Sequence, residues 1–175
     1  VSTYTIEVTA SADAEASFTN TNNEDHLGDI VEIPIELTSD TEAHVILGDI
    51  DADGYQVNLT VEDGDEDGEV VLEWNSYLAN NSANGDFAVS DTDDSVTVDA
   101  RMGNVGGPPD DIIAQSNYDI NVLAASAGDY DDTDESPDDI AVVNLAPRST
   151  DMAKTWTAPD GTKVANILDE VSDDS

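Results

Sequence analysis

Apolar and polar residues alternate along much of this chain with a period of two. Tyr4, Ile6, Val8 and Ala10 alternate with Thr5, Glu7 and Thr9, and Val31, Ile33, Ile35 and Leu37 alternate with Glu32, Pro34 and Glu36. The same period returns at Tyr55–Val61, Val70–Trp74, Val96–Ala100 and Tyr118–Ala124. Successive strand side chains point to opposite faces, so this pattern predicts strands with one buried and one wet face. Shorter and less regular strand candidates lie at Ser17–Thr19, Ala43–Leu47, Phe87–Ser90 and Ile140–Leu145, each bounded by Asp, Asn, Gly or Ser.

About eight to ten strands are expected, joined by short polar connections with no long helical period between them. That favours antiparallel pairing over a parallel sheet with crossover helices. An all-β, immunoglobulin-like antiparallel β-sandwich fits the pattern best, and a small closed barrel is the alternative. Residues 14–146 form the expected sandwich domain. Residues 1–13 are either a linker or the first strand of that body. Residues 147–175 read as a C-terminal extension or the start of a following module, with a helix from about Thr162 to Val171, where Val164, Ile167, Leu168 and Val171 recur at helical spacing.

Charge changes the picture next. Asp and Glu number 41 against 4 Lys and Arg, a formal net charge of -37 on 175 residues. High net charge with few aromatics is also the composition of disordered chains, but the repeated period-two runs oppose that reading. At molar salt the Debye length falls to about 3 Å, self-repulsion is screened, and short carboxylates serve as a hydrated, cation-collecting coat. The surface is that of a halophilic protein. Three of the basic residues, Arg148, Lys154 and Lys163, fall in the tail beside Trp156 and stand out against the acidic body.

Cysteine is absent, so disulfides and thiolate metal sites are excluded. No stretch is long enough to cross a membrane, so no direct insertion of this fragment is expected, and no signal peptide is visible at Val1. The chain reads as a mature or excised ectodomain.

Two loops carry candidate metal chemistry. Asp49, Asp51, Asp53 and Gly54 spell D-x-D-x-D-G, and Asp63, Asp65, Asp67 and Gly68 spell it again. Such spacing gathers carboxylate oxygens on one side of a tight turn, where a hard cation such as Ca2+, or Na+ and K+, finds ligands. The helical calcium hand is not matched, because the residues at its twelfth position, Thr60 and Trp74, are not bidentate acids and the flanks read as strand. The plainer reading of Asp63–Gly68 is a hairpin turn between two strands. Asp129, Asp131, Asp132, Asp134 and Glu135 are a weaker cation candidate and read more simply as a solvated acidic loop.

Catalytic signals are missing. His26 and His44 are the only histidines and show no metal-enzyme spacing, and there is no nucleophile elbow, phosphate loop or dinucleotide fingerprint. No catalytic residue and no required cofactor is assigned, and the chain reads as no enzyme. No nucleic-acid partner is expected for a chain with so few basic residues. Asn58 and Asn80 each begin an N-x-S/T sequon, Asn58 on the wet face of its strand and Asn80 in a polar loop, which makes both candidate glycosylation sites.

The segments Ala16–Phe18, Gly28–Leu37, Ala43–Asp49, Tyr55–Gly68, Trp74–Tyr77 and Asp93–Val98, with Arg148–Asp151 and Trp156–Pro159 in the tail, resemble the repeated module of haloarchaeal surface glycoproteins. The resemblance implies a β-sandwich module of a secreted or wall-anchored protein, with no established enzymatic activity. The expected function is therefore a non-enzymatic extracellular structural or adhesion module at the cell surface, meeting other surface-protein modules, envelope components and hydrated cations. The alternative is an accessory carbohydrate- or peptide-binding domain of a secreted hydrolase. A solvent-facing platform of Trp74, Tyr77 and Trp156 would favour sugar binding.

Overall fold

The computed structural model describes residues 13–79, 85–103, 113–127 and 136–147, together with the backbone of two short strands at 156–157 and 163–164. The strands are β1 (Glu15–Phe18), β2 (Asn22–His26), β3 (Ile30–Thr38), β4 (Glu42–Leu47), β5 (Tyr55–Glu62), β6 (Glu69–Asn75), β7 (Phe87–Val89), β8 (Ser95–Gly103), β9 (Asn117–Ala124) and β10 (Asp139–Ala146). A single helical turn, α1 (Ile50–Asp53), joins β4 to β5. The tail strands are β11 (Trp156–Thr157) and β12 (Lys163–Val164).

Two sheets make the body, one in the order β1-β3-β6-β7 and one in the order β2-β10-β9-β4-β5-β8. Their inward residues form one apolar cluster, as a sandwich requires. On β3 the alternation read from sequence is physical: Val31, Ile33, Ile35 and Leu37 are buried, while Glu32 and Glu36 face water. Val45 and Leu47 on β4, Val57, Leu59 and Val61 on β5, and Ile120 and Val122 on β9 meet them from the other sheet. Each such side chain contributes roughly 1.5–3 kcal/mol on burial.

Pro34 sits within β3 without breaking it. β1 ends with Phe18 opposite Ile35, so the position beside Pro34 lies past that strand, and the Pro34 carbonyl accepts the Thr19 N–H at 3.1 Å. The missing proline N–H therefore costs only the reciprocal bond to Thr19, past the end of β1, and none within the paired strand.

The structure departs from the sequence reading in four respects. β5 and β6 lie in different sheets, so the Asp63–Gly68 turn carries the chain from one sheet to the other and is not a hairpin. Pairing is not wholly antiparallel, because β2 runs parallel to β10, with Asn22 opposite Val142 and His26 opposite Ala146. β2 was not legible as a strand: it reads Asn-Asn-Glu-Asp-His and buries only Asn23, so backbone pairing to β10 defines it, with no apolar alternation. In the tail, Lys163 and Val164 are extended and pair with Thr157 and Trp156, so the helix expected from Thr162 does not include them. The strand expected at Tyr4–Ala10 and the remainder of the tail helix lie outside the described residues.

Sheet edges are closed by carboxylates. One oxygen of Asp138 accepts the Ala16 N–H at 3.0 Å and the Ala124 N–H at 2.9 Å, and Asp139 accepts the Phe18 N–H at 3.0 Å. These bonds tie β1 to the opposite sheet and use donors that an edge strand otherwise leaves bare. Asp138→Ala removes both bonds of its carboxylate and is expected to lower stability by about 1–3 kcal/mol in urea titrations at molar salt. An unchanged midpoint would show that the two Asp138 bonds add nothing to the edge.

Candidate cation-binding site

The turn from β5 into β6 is built by its own carboxylates. Asp63 is buried and accepts the Asp67 N–H at 3.3 Å on one oxygen and the Gly68 N–H at 2.8 Å on the other. Asp65 also accepts from Asp67, at 3.3 Å, and Asp67 accepts the Glu69 N–H at 2.9 Å. Short acids that take backbone N–H groups two to five residues on are the usual makers of tight turns.

A second turn then closes over the first. Glu62 lies opposite Ser95 in the β5–β8 ladder, which carries the residues before β8 alongside the Asp63–Gly68 turn. Asp94 accepts the Gly64 N–H at 3.1 Å, and a Cβ on Gly64 would lie 1.9 Å from the Asp93 carbonyl oxygen. Only glycine permits that approach.

Oxygens of Asp63, Asp65 and Asp94 consequently lie within 4.8 Å of one another. Burial first, then the charges of Asp63, Asp91 and Asp67, push the Asp94 carboxyl above its usual range, against the Gly64 hydrogen bond. Asp65 is raised as well, by desolvation and then by the Asp67 charge. Three converging carboxylates can share a proton or hold a hard cation whose remaining ligands are water.

Sequence reasoning selected Asp63 and Asp65 for this cluster, along with Asp67, whose carboxylate instead supports the β6 start. Asp94 had no local signal, because only the strand pairing brings it there. Asp49, Asp51 and Asp53 are not brought together within that distance. Asp49 caps α1, taking the Asp51 and Ala52 N–H groups at 2.7 and 3.1 Å, and Asp53 takes the Asp49 N–H at 3.1 Å. The first acidic motif is a capped helical turn. Among the described residues, the other such group is Asp25, His26 and Asp29 at the β2–β3 turn.

His44 lies half-buried on the outer face of β4 with Nδ1 3.2 Å from Thr60 Oγ1. Thr60 donates its hydroxyl hydrogen to Asp99 at 2.7 Å, so the His44 ring is the donor to Thr60. Asn58 is half-buried on the outer face of β5, where its Oδ1 accepts from Gln56 at 3.0 Å. Asn80 and the acidic stretch from Asp129 to Glu135 lie outside the described residues.

One charged centre has no counterpart in the sequence reading. Arg101, inward-facing on β8, clamps the buried Asp86 carboxylate with both guanidinium Nη atoms, Nη1 at 2.7 Å from Oδ2 and Nη2 on Oδ1. The guanidinium lies 5.8 Å over the Phe87 ring. Trp74 stacks on Phe87 and Tyr55 and meets Tyr118 edge-on. Burial and then the Asp86 charge push the Tyr55 hydroxyl far above its usual range, and burial raises Tyr118 to about 12. Trp74 is fully buried, so it presents no ring to a sugar. The side chain of Trp156 lies outside the described residues.

Residues 8–125 match the family described as Domain of unknown function (DUF7827). The chain belongs to this family. This DUF7827 chain is 32% identical over 174 residues to a cell surface glycoprotein of Haloferax gibbonsii, covering 98% of the chain and 19% of that relative. It is 31% identical over 159 residues to cell surface glycoprotein 1 of Haloarcula hispanica, covering 88% and 17%, and 28% identical over 169 residues to cell surface glycoprotein 2 of the same organism, covering 94% and 18%. No solved structure matches it.

The DUF7827 chain thus spans about a fifth of the length of these relatives. The resemblance to haloarchaeal surface glycoproteins holds across most of its residues, and those relatives indicate an extracellular, cell-surface location. Among the described residues no helix is long and apolar enough to cross a membrane.

Proposed function

We propose that this chain is a non-enzymatic structural module of a halophilic cell-surface glycoprotein, with residues 14–146 as its body. The observation that carries the reading is that nearly the whole chain aligns to a fifth of each of three proteins named cell surface glycoprotein. Burial of Trp74 inside the sandwich supports a structural role over sugar recognition, since the ring that could have formed a platform packs the core. The partners are other surface modules and envelope components, met in molar salt. Affinity electrophoresis of the purified chain through envelope polysaccharides should show no retardation. Retardation that Tyr77→Ala removes would turn the assignment to a carbohydrate-binding domain.

Asp63, Asp65 and Asp94 are proposed to hold a hard cation, with calcium the best match to converging carboxylates. Calorimetric titration with calcium in molar sodium chloride should reveal a site tighter than about 1 mM. Asp94→Asn should weaken it about tenfold or more, and a featureless titration of the unaltered chain overturns the assignment. Asn58 and Asn80 are proposed glycan acceptors, testable by mass spectrometry of glycopeptides from the native host.

A further inference from the structure

A cleft of about 540 Å³ lies between β2 and the start of β3, where both sheets leave backbone uncovered. β1 pairs with β3 only from Ile35 to Thr38, and the Thr19 N–H reaches the Pro34 carbonyl just past its end. Backbone groups along a strand face alternate sides, so those of Ile30 and Glu32 face the same side as Pro34, beyond the reach of β1. On β2 the Thr21 carbonyl takes the Val142 N–H and the Leu27 N–H goes to Ala146, which turns the backbone groups of Asn22 and Glu24 away from β10. All four residues line the cleft.

Asn23 lines it too and, as the one buried residue of β2, points inward toward the other sheet. Its side chain is only 4% exposed. Nδ2 donates to the Asn20 carbonyl at 3.2 Å, while Oδ1 is closed to water and has no hydrogen-bonding partner among the described residues. A buried acceptor without a donor is uncommon and calls for a ligand. The carboxylates of Glu24, Asp25 and Glu32 share the cleft, and Asp25 also lies with His26 and Asp29 in a group whose ligand atoms are within 4.8 Å of one another. Contact distance narrows the choice of ligand: a hydrogen-bond donor stops about 2.7–3.0 Å from an oxygen, whereas a hard cation comes to about 2.3–2.6 Å. An oxygen that water does not touch therefore suits a bare cation better than an ammonium or guanidinium group.

We propose that this cleft binds a hard cation of the calcium class, with Asn23 Oδ1 as its innermost ligand and Asp25 and Glu32 as its charged ones. Backbone carbonyls of the two uncovered edges and water complete the shell. This site lies apart from Asp63, Asp65 and Asp94 and does not rest on them. Its role is structural. β2 has no apolar alternation to hold it against the core, and a cation shared by Asn23 and Asp25 on β2 and Glu32 on β3 fastens this edge strand to the opposite sheet.

Nuclear magnetic resonance of the full chain in molar sodium chloride tests this with Mn2+, a paramagnetic ion that takes the same oxygen ligands. Manganese should broaden the amide signals of residues 22–25 and 30–32, and excess calcium should restore them. Asn23→Leu, which removes the oxygen, and Glu32→Gln, on an exposed position, should each weaken binding there roughly tenfold or more. Asn23→Asp should gain more thermal stability from calcium than the unaltered chain does, since a buried carboxylate needs the cation more than an amide does. Circular dichroism in the same salt shows which variants fold. Each amide is read separately, so broadening near Asp63 and Asp94 with none in the cleft overturns this proposal and leaves the other site standing. Broadening in the cleft that survives Asn23→Leu and Glu32→Gln, or an Asn23→Asp chain indifferent to calcium, also overturns it.

Discussion

Dialysis from molar sodium chloride into dilute buffer is expected to abolish the strand signal in far-ultraviolet circular dichroism, or to lower the thermal midpoint by tens of degrees. The cause is the chain's net charge of -37 acting on a fold of ordinary marginal stability, about 5–15 kcal/mol. Glu32 and Glu73, and Glu36 and Glu69, are cross-strand neighbours, and two like charges about 5 Å apart in water repel by roughly 0.8 kcal/mol. Many such terms accumulate when the Debye length is long, and they fade as it shrinks to about 3 Å at 1 M.

Acid should partly replace salt. The Asp94 and Asp65 carboxyls are raised in the folded state, so folding favours their protonated form. Their contribution is fully present below the ordinary carboxyl range and is lost as pH rises through the raised values. In low salt, stability should therefore increase as the pH is brought down toward the ordinary range, and circular dichroism across a pH series would show it. Unchanged stability in dilute neutral buffer would contradict the whole halophilic account.

Asp86→Ala should be the most damaging single substitution considered, lowering stability by about 3–5 kcal/mol. Asp86 is the sole hydrogen-bonding partner seen for the two Nη groups of Arg101 in the described structure, and the Arg101 side chain is only 13% exposed. Removing the carboxylate leaves a cation stranded against Phe87, with Tyr55 and Trp74 close by. The double variant Asp86→Leu, Arg101→Met removes both charges, and it should recover most of the loss because an apolar pair of similar volume has no desolvation penalty to offset. Urea titrations at constant molar salt measure both. If Asp86→Ala alone is neutral, the clamp contributes nothing to the fold.

The strands that were legible in sequence are those whose inward positions must be apolar. Val31–Leu37, Tyr55–Val61 and Tyr118–Ala124 appear where their alternation places them, because burial in a sandwich imposes a period of two on the residues themselves. β2 carries no such imprint. It is an edge strand with one buried position, Asn23, and its parallel partner β10 lies more than a hundred residues away in the chain. The acidic motifs divided for a related reason: both have the spacing to collect ligands, but the first spends its oxygens on the backbone of α1, and the second gains Asp94 from another turn.

The residues alone thus determined the charge from which a need for molar salt is expected and the all-β class of the fold, because net charge sums over the chain and strand periodicity is local. They also carried the family resemblance. The tertiary structure decided which like charges are opposed and which acids share a turn. It also decided that Arg101, unlike the basic residues gathered in the tail, lies inside the sandwich on Asp86. Those are properties of register and of contacts between distant strands, and strand pairing alone brings such residues together.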